Sequence, residues 1–154
     1  MIIYHQGLDP YHCFFRFLLY THELENMNIE FDKIRLIDFY YLFPYNLNSL
    51  KICNKRKLKI KEPFENTKLK LHIFFHLHTI HKNAIGYLIS QGYLDREIYL
   101  KKNEILLVKE IDKKFINLFQ EERNKKVEWF DIFFEFFKNN TIEEIQKKSK
   151  LIGK

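Results

Sequence analysis

The chain has 154 residues, 46% of them hydrophobic and 17% aromatic, with only 4 glycines and 3 prolines. That composition excludes a disordered or turn-rich chain and leaves little glycine for phosphate-cradling loops. A net charge of +6, with 30% charged residues, suits nucleic acid, an acidic partner or plain solubility.

In chain order, Asp9-Pro10 marks a helix start, because Asp can cap free N–H groups and Pro is tolerated in the first turn. Cys13, Phe14, Phe17, Leu18 and Thr21 follow at helical spacing, which predicts a helix to about residue 25. A second helix is predicted over FDKIRLIDFYYLF, with Asp32 as its cap and Pro44 ending it. It is apolar on most sides, the mark of a buried or shared helix. Asp38 within it is expected to face solvent or to cap.

Residues 45–62 change character: within them KICNKRKLKIKE holds six cations against one acid, so most of the excess charge sits in one segment. Lys55, Arg56, Lys57, Lys59 and Lys61 are the candidate contacts for nucleic acid or an acidic partner, on a stretch expected to be an exposed connector. No aromatic side chain interleaves them, which argues against single-strand stacking.

TKLKLHIFFHLHT, from Thr67, predicts a buried helix, and HKNAIGYLISQGYLD a second, shorter one stopped by Gly92 in the left-handed conformation. IYLKKNEILLV then offers either a hairpin or one strand preceded by a helical turn. Helix, turn, helix, then strand or wing is the order of a winged helix-turn-helix. Its recognition helix would carry Lys82, Asn83, Ser90 and Gln91, a thin set of base readers. From Asp112 a helix runs through Phe115, Leu118 and Phe119, interrupted by the polar QEERNKK. VEWFDIFFEFF reads as apolar nearly all round, so Trp129, Phe130, Phe133, Phe134, Phe136 and Phe137 are expected to offer surface to a protein partner. Thr141 and Glu144 stand at capping-box spacing for a last helix.

The expected fold is mainly α with a small β wing, a winged-helix-type core with N- and C-terminal helical extensions. Residues 1–62 form a helical part with the basic connector. Residues 63–154 form the winged-helix part with the C-terminal helices, the two making one unit.

Catalytic signatures are missing: the sequence has no GxxxxGK[ST], GxGxxG or GxSxG. Cys13 lies on an apolar stripe and reads as core, and neither it nor Cys53 has a zinc-ligand spacing. His72, His76, His78 and His81 cluster. His72 and His76 share a helical face, yet HIFFH lacks the acid of a zinc hydrolase, so these are expected to be ordinary surface and boundary histidines. The reading is therefore a non-enzyme with no cofactor and no metal. The opening MIIYHQGLDPYH has no signal-peptide pattern and no 18-residue apolar run occurs, so no membrane contact and a cytoplasmic location are expected.

DPYHCFFRFL at 9–18, RLIDFYYLFP at 35–44 and AIGYLISQGYLD at 84–95, with ERN at 122–124, resemble the middle component of bacterial ABC three-component systems. That family includes the small subunit of Lamassu-type anti-phage defence complexes. The resemblance implies an adaptor between an SMC-like ATPase with coiled-coil arms and an effector subunit, often a nuclease. DNA contact would then occur within the complex, and ATP hydrolysis and cutting would belong to the other chains. The alternatives are a free-standing winged-helix DNA-binding transcription regulator and a small metalloprotein using the histidine cluster.

Overall fold

A computed structural model describes residues 9–25, 27–52, 58, 60 and 67–149. Lys55, Arg56, Lys57, Lys59, Lys61 and Cys53 lie outside the described residues.

Helix α1 spans Pro10–Glu23 and starts as the sequence dictates: the Tyr11 N–H donates to Asp9 Oδ1 at 2.9 Å. Strand β1 (Ile29–Glu30) leads directly into α2 (Phe31–Leu42). Asp32 is not the cap of α2. Glu30 holds that position without a side-chain bond, and the Phe31 N–H donates to the Asn103 carbonyl at 2.9 Å instead. A carbonyl distant in sequence, at the end of a later helix, thus takes up one N–H of this helix start, and local sequence cannot foresee it.

Pro44 ends α2 and opens a short 3₁₀ helix, Pro44–Leu50. This stretch is more than an exposed connector, because Leu47, Leu50 and Leu58 are buried. The Asn48 amide holds Leu58 in place: its Nδ2 donates to the Leu58 carbonyl at 3.1 Å, and its Oδ1 accepts from the Leu58 N–H at 2.8 Å.

The two helices expected from residue 67 onward are one. Helix α3 runs unbroken over Thr67–Ser90, since nothing between Thr79 and Lys82 breaks a helix. It stops where expected: Gly92 has φ +80°, its N–H donates to the Ile89 carbonyl at 3.0 Å, and the Tyr93 N–H donates to that of Leu88 at 2.9 Å. Helix α4 (Arg96–Lys102) follows, capped by Asp95, which accepts from the Ile98 N–H at 2.9 Å. Strand β2 (Glu104–Ile105) then pairs antiparallel with β1, Ile29 opposite Ile105, and Leu94 bridges Leu107. The segment 96–108 is thus a strand preceded by a short helix, not a hairpin. The chain is mainly helical with a small two-stranded sheet.

Helix α5 (Lys113–Lys125) absorbs most of the polar QEERNKK, whose Gln, Glu, Arg and Lys are good helix formers. Helices α6 (Phe130–Asn139) and α7 (Ile142–Ser149) are the last elements among the described residues. The α7 start has the expected reciprocal bonds: the Thr141 N–H to Glu144 Oε2 at 3.0 Å, and the Glu144 N–H to Thr141 Oγ1 at 3.3 Å.

Helix α2 is the hub, with every residue from Ile34 to Tyr41 buried. Helix α1 packs chiefly on α3 and also on α2, and α7 covers the 3₁₀ helix. The buried cluster draws on both halves of the chain, from Phe17, Ile37 and Phe39 to Phe74, Ile85, Phe137 and Ile145.

The C-terminal aromatic side chains join this core. Trp129, Phe130, Phe133, Phe134 and Phe137 are all buried within the chain. They do not present a surface in the isolated chain. Phe130, Phe133, Phe134 and Phe137 recur at one-face helical spacing, whereas Asp131 and Glu135 are exposed and Phe136 is half-buried. Trp129 and Phe133 meet Tyr41 edge-on, with ring centroids 5.6 and 5.8 Å away, and Phe137 lies 6.2 Å from Tyr40.

Candidate functional site

Two features stand out: a buried polar cluster joining three helices, and an exposed aromatic face beside a cleft. The cluster begins with helical periodicity. Cys13, Arg16, Phe17 and Tyr20 share the inner face of α1, and all are buried. Opposite them α2 offers Arg35 and Asp38, one turn apart, and α3 offers His81.

Asp38 is fully buried, which corrects the expectation of a solvent-facing or capping carboxylate. It accepts from Arg16 Nε at 2.6 Å and Nη2 at 3.0 Å, from the Tyr20 hydroxyl at 2.5 Å and from His81 Nε2 at 2.8 Å. Four donors satisfy the carboxylate, which is what its burial demands. His81 is likewise fully buried and not a boundary histidine. Its Nδ1 accepts from Arg35 Nε at 3.4 Å, and Arg35 Nη2 donates to the Phe74 carbonyl at 3.0 Å. Arginine can only donate, so His81 carries its proton on Nε2 and is neutral.

The electrostatics agree. Burial pushes the Asp38 carboxyl up, but Arg16 and the His81 N–H outweigh it and hold it well below the usual carboxylate range. Burial pulls the His81 imidazole below its ordinary value despite Asp38 beside it. Burial, aided by the Asp38 charge, pushes both the Cys13 thiol and the Tyr20 phenol well up.

Cys13, Asp38 and His81 bring their ligating atoms within 4.8 Å of one another, which raises both a nucleophilic triad and a metal site. Neither fits. A Cys–His pair needs a ring nitrogen aimed at sulfur, and both His81 nitrogens are engaged, with Asp38 and with Arg35. The raised thiol is no thiolate. A cation there would have to displace Arg16 from both Asp38 oxygens, beside a second guanidinium. The cluster is a latch between α1, α2 and α3.

The exposed face lies on the outer side of α1. Tyr11 is 78% exposed, Tyr87 of α3 45% and Leu118 of α5 43%, with Phe14, Phe15 and Phe115 half-buried among them. The rings touch: Phe14 lies 4.9 Å from Tyr87 and 6.0 Å from Phe115, and Phe15 5.3 Å from Phe119, all centroid to centroid. Lys114 Nζ sits 5.1 Å over the Phe115 ring. Phe15 and Leu118 continue into an open cleft of ≈ 680 Å³ that also involves His12, Leu42 and Pro44. At its rim the Tyr41 hydroxyl donates to Glu122 Oε2 at 2.7 Å, and Lys126 binds both groups. Next to it, Arg123 grips Glu23 at 2.9 and 3.0 Å and reaches Asp131 at 3.1 Å, tying α5 to α1 and α6.

A family model matches residues 2–153, and its description is ABC-three component (ABC-3C) system Middle Component 5. The chain belongs to that family. No curated protein and no solved structure matches it. As a middle component the chain works with the other components of such a system. Glu122 and Arg123, two of the residues that carried the resemblance, are those that tie α5 to Tyr41 and to α1.

In this middle component Lys82, Asn83, Ser90 and Gln91 are exposed along the second half of α3 and its end. No helix of the described residues is long and apolar enough to cross a membrane. Sequence reasoning missed the latch. Its signal was two arginines and one aspartate, Arg16, Arg35 and Asp38, set within apolar helical faces, where charge is tolerated only when paired.

Proposed function

We propose that this middle component is a non-catalytic adaptor of a Lamassu-type anti-phage complex, bridging an SMC-like ATPase with coiled-coil arms and a nuclease-like effector. The observation that carries the proposal is the aromatic face of Phe14, Phe15, Tyr87 and Phe115, whose rings touch, with exposed Tyr11 one helical turn away on α1. Large exposed rings beside an open cleft are costly for a free monomer and usual for a docking surface. The latch supports the non-enzymatic part, because its Cys–His–Asp set has no nitrogen left to activate the thiol. ATP hydrolysis and DNA cutting then belong to the partner chains.

In this reading α3, α4 and the β1–β2 pair serve as a reduced winged-helix unit turned to protein contact. Lys55, Arg56, Lys57, Lys59 and Lys61 meet DNA or an acidic surface of the assembled complex in the cytoplasm. Charge-driven contact of that kind weakens with salt.

The test is co-expression with the neighbouring gene products. Tyr11→Ser with Tyr87→Ser removes exposed rings and leaves the core intact, so the purified variant stays folded and loses the complex. A variant that still assembles at full stoichiometry removes the face from the proposal. A homodimer that shifts a palindromic DNA fragment unaided would point to the transcription-regulator reading.

A further inference from the structure

We propose that His72 and His76 form a two-imidazole site for a divalent transition-metal ion of the copper(II) or nickel(II) class. The inference is independent of the adaptor reading. Both histidines are exposed on α3, four residues apart, so one helical turn stacks them. Their Nε2 atoms lie 2.9 Å apart, with ring centroids at 4.3 Å and ring planes at 82°.

In the metal-free chain a hydrogen bond accounts for that approach: one Nε2–H donates to the bare Nε2 of the other ring. The same separation is also a chelating bite. Two metal–nitrogen bonds of about 2.0–2.1 Å meeting at a right angle hold their nitrogens about 2.9 Å apart, whereas a tetrahedral angle needs about 3.3 Å. Right-angled nitrogen ligation is the preference of tetragonal copper(II) and nickel(II), not of zinc.

The buried Cys13–Asp38–His81 set has its ligand atoms spent on two arginines; the His72–His76 pair gives up only a bond to itself. Both imidazoles bind a metal in the neutral form. The donating ring moves its proton from Nε2 to Nδ1 through solvent, so a neutral pair loads without net proton release. Residues 67–81 contain no Asp, Glu or Cys, so this stretch supplies no carboxylate or thiolate. The remaining positions on the metal are left to water or to a donor from a partner chain.

The full chain, purified without a polyhistidine tag and stripped of metal, is titrated with copper(II), nickel(II) and zinc(II) in a non-coordinating buffer. Calorimetry reads the affinity, and electron paramagnetic resonance of the copper(II) form counts the bound nitrogens. The expected result is saturation near one equivalent, with two imidazole nitrogens on copper and nickel held more tightly than zinc. Saturable binding disappears in His72→Gln and in His76→Gln; both positions are exposed, and circular dichroism verifies that the variants fold. Absence of saturable uptake, equal uptake by either variant, or zinc held as tightly as nickel overturns the proposal.

Discussion

Arg16 holds Asp38 through two nitrogens, Nε at 2.6 Å and Nη2 at 3.0 Å, across the buried junction of α1 and α2. The pair is expected to specify how these helices meet more than to add net stability. Desolvating two charges costs about as much as their attraction returns, while breaking one partner leaves the other stranded.

Asp38→Asn keeps the shape and removes the charge. It is expected to destabilise the fold by about 3–5 kcal/mol, because Arg16 stays buried without its counter-ion. Combining Arg16→Met with Asp38→Leu should recover part of that loss, giving a coupling of about 1 kcal/mol or more in a double-mutant cycle read by urea denaturation. Strict additivity would show that the two residues do not act as a unit.

Stability should fall as pH falls, in two stages. The folded imidazole of His81 lies below its ordinary 6.5, so below that pH the unfolded chain takes up a proton that the folded chain refuses. The folded carboxyl of Asp38 lies below its ordinary 3.8, so its contribution is complete above that value and is lost as the pH drops towards the depressed one. His81→Gln keeps a donor for Asp38 and cannot titrate. The denaturation midpoint of that variant should depend less on pH than that of the native chain between about pH 7 and pH 5. Parallel pH profiles would remove His81 as the source of the first stage.

The aromatic residues divide by burial. Phe133→Ala or Phe137→Ala should cost about 3–5 kcal/mol, because each ring is fully buried and would leave a cavity. Glu135→Ala, on the exposed side of α6, should stay within about 0.5 kcal/mol. Thermal melts of the isolated chain read both, and a small loss at Phe133 would show that α6 is not core.

Two glycines should respond to alanine with opposite signs. Gly92 has φ +80°, so alanine there is strained and should cost about 1 kcal/mol. Gly86 lies inside α3 with open space around the position of an added Cβ, so alanine should stabilise the helix by about 0.5–1 kcal/mol. A destabilised Gly86→Ala chain would mean that something packs closely at that position.

The Asp9 cap, the Gly92 stop and the Thr141–Glu144 box were legible in the sequence because each is closed by bonds between residues at most five positions apart. The unbroken α3 and the polar run inside α5 differ from the expected breaks because helix propensity, not polarity, decides continuity at a point where no Gly or Pro intervenes. The latch was not legible: Asp38 meets Arg16 22 residues away and His81 43 residues away, and β1 meets β2 across more than 70 residues. Nor was the direction of the α6 face. Periodicity shows that Phe130, Phe133, Phe134 and Phe137 share one side, but only the docked positions of Tyr40, Tyr41 and Tyr20 decide that this side is core. Local geometry is set by bonds the chain makes with its neighbours. Which charges are paired and which rings reach water depends on helices meeting in space, because hydrophobic burial is non-directional and favours any partner of the right shape.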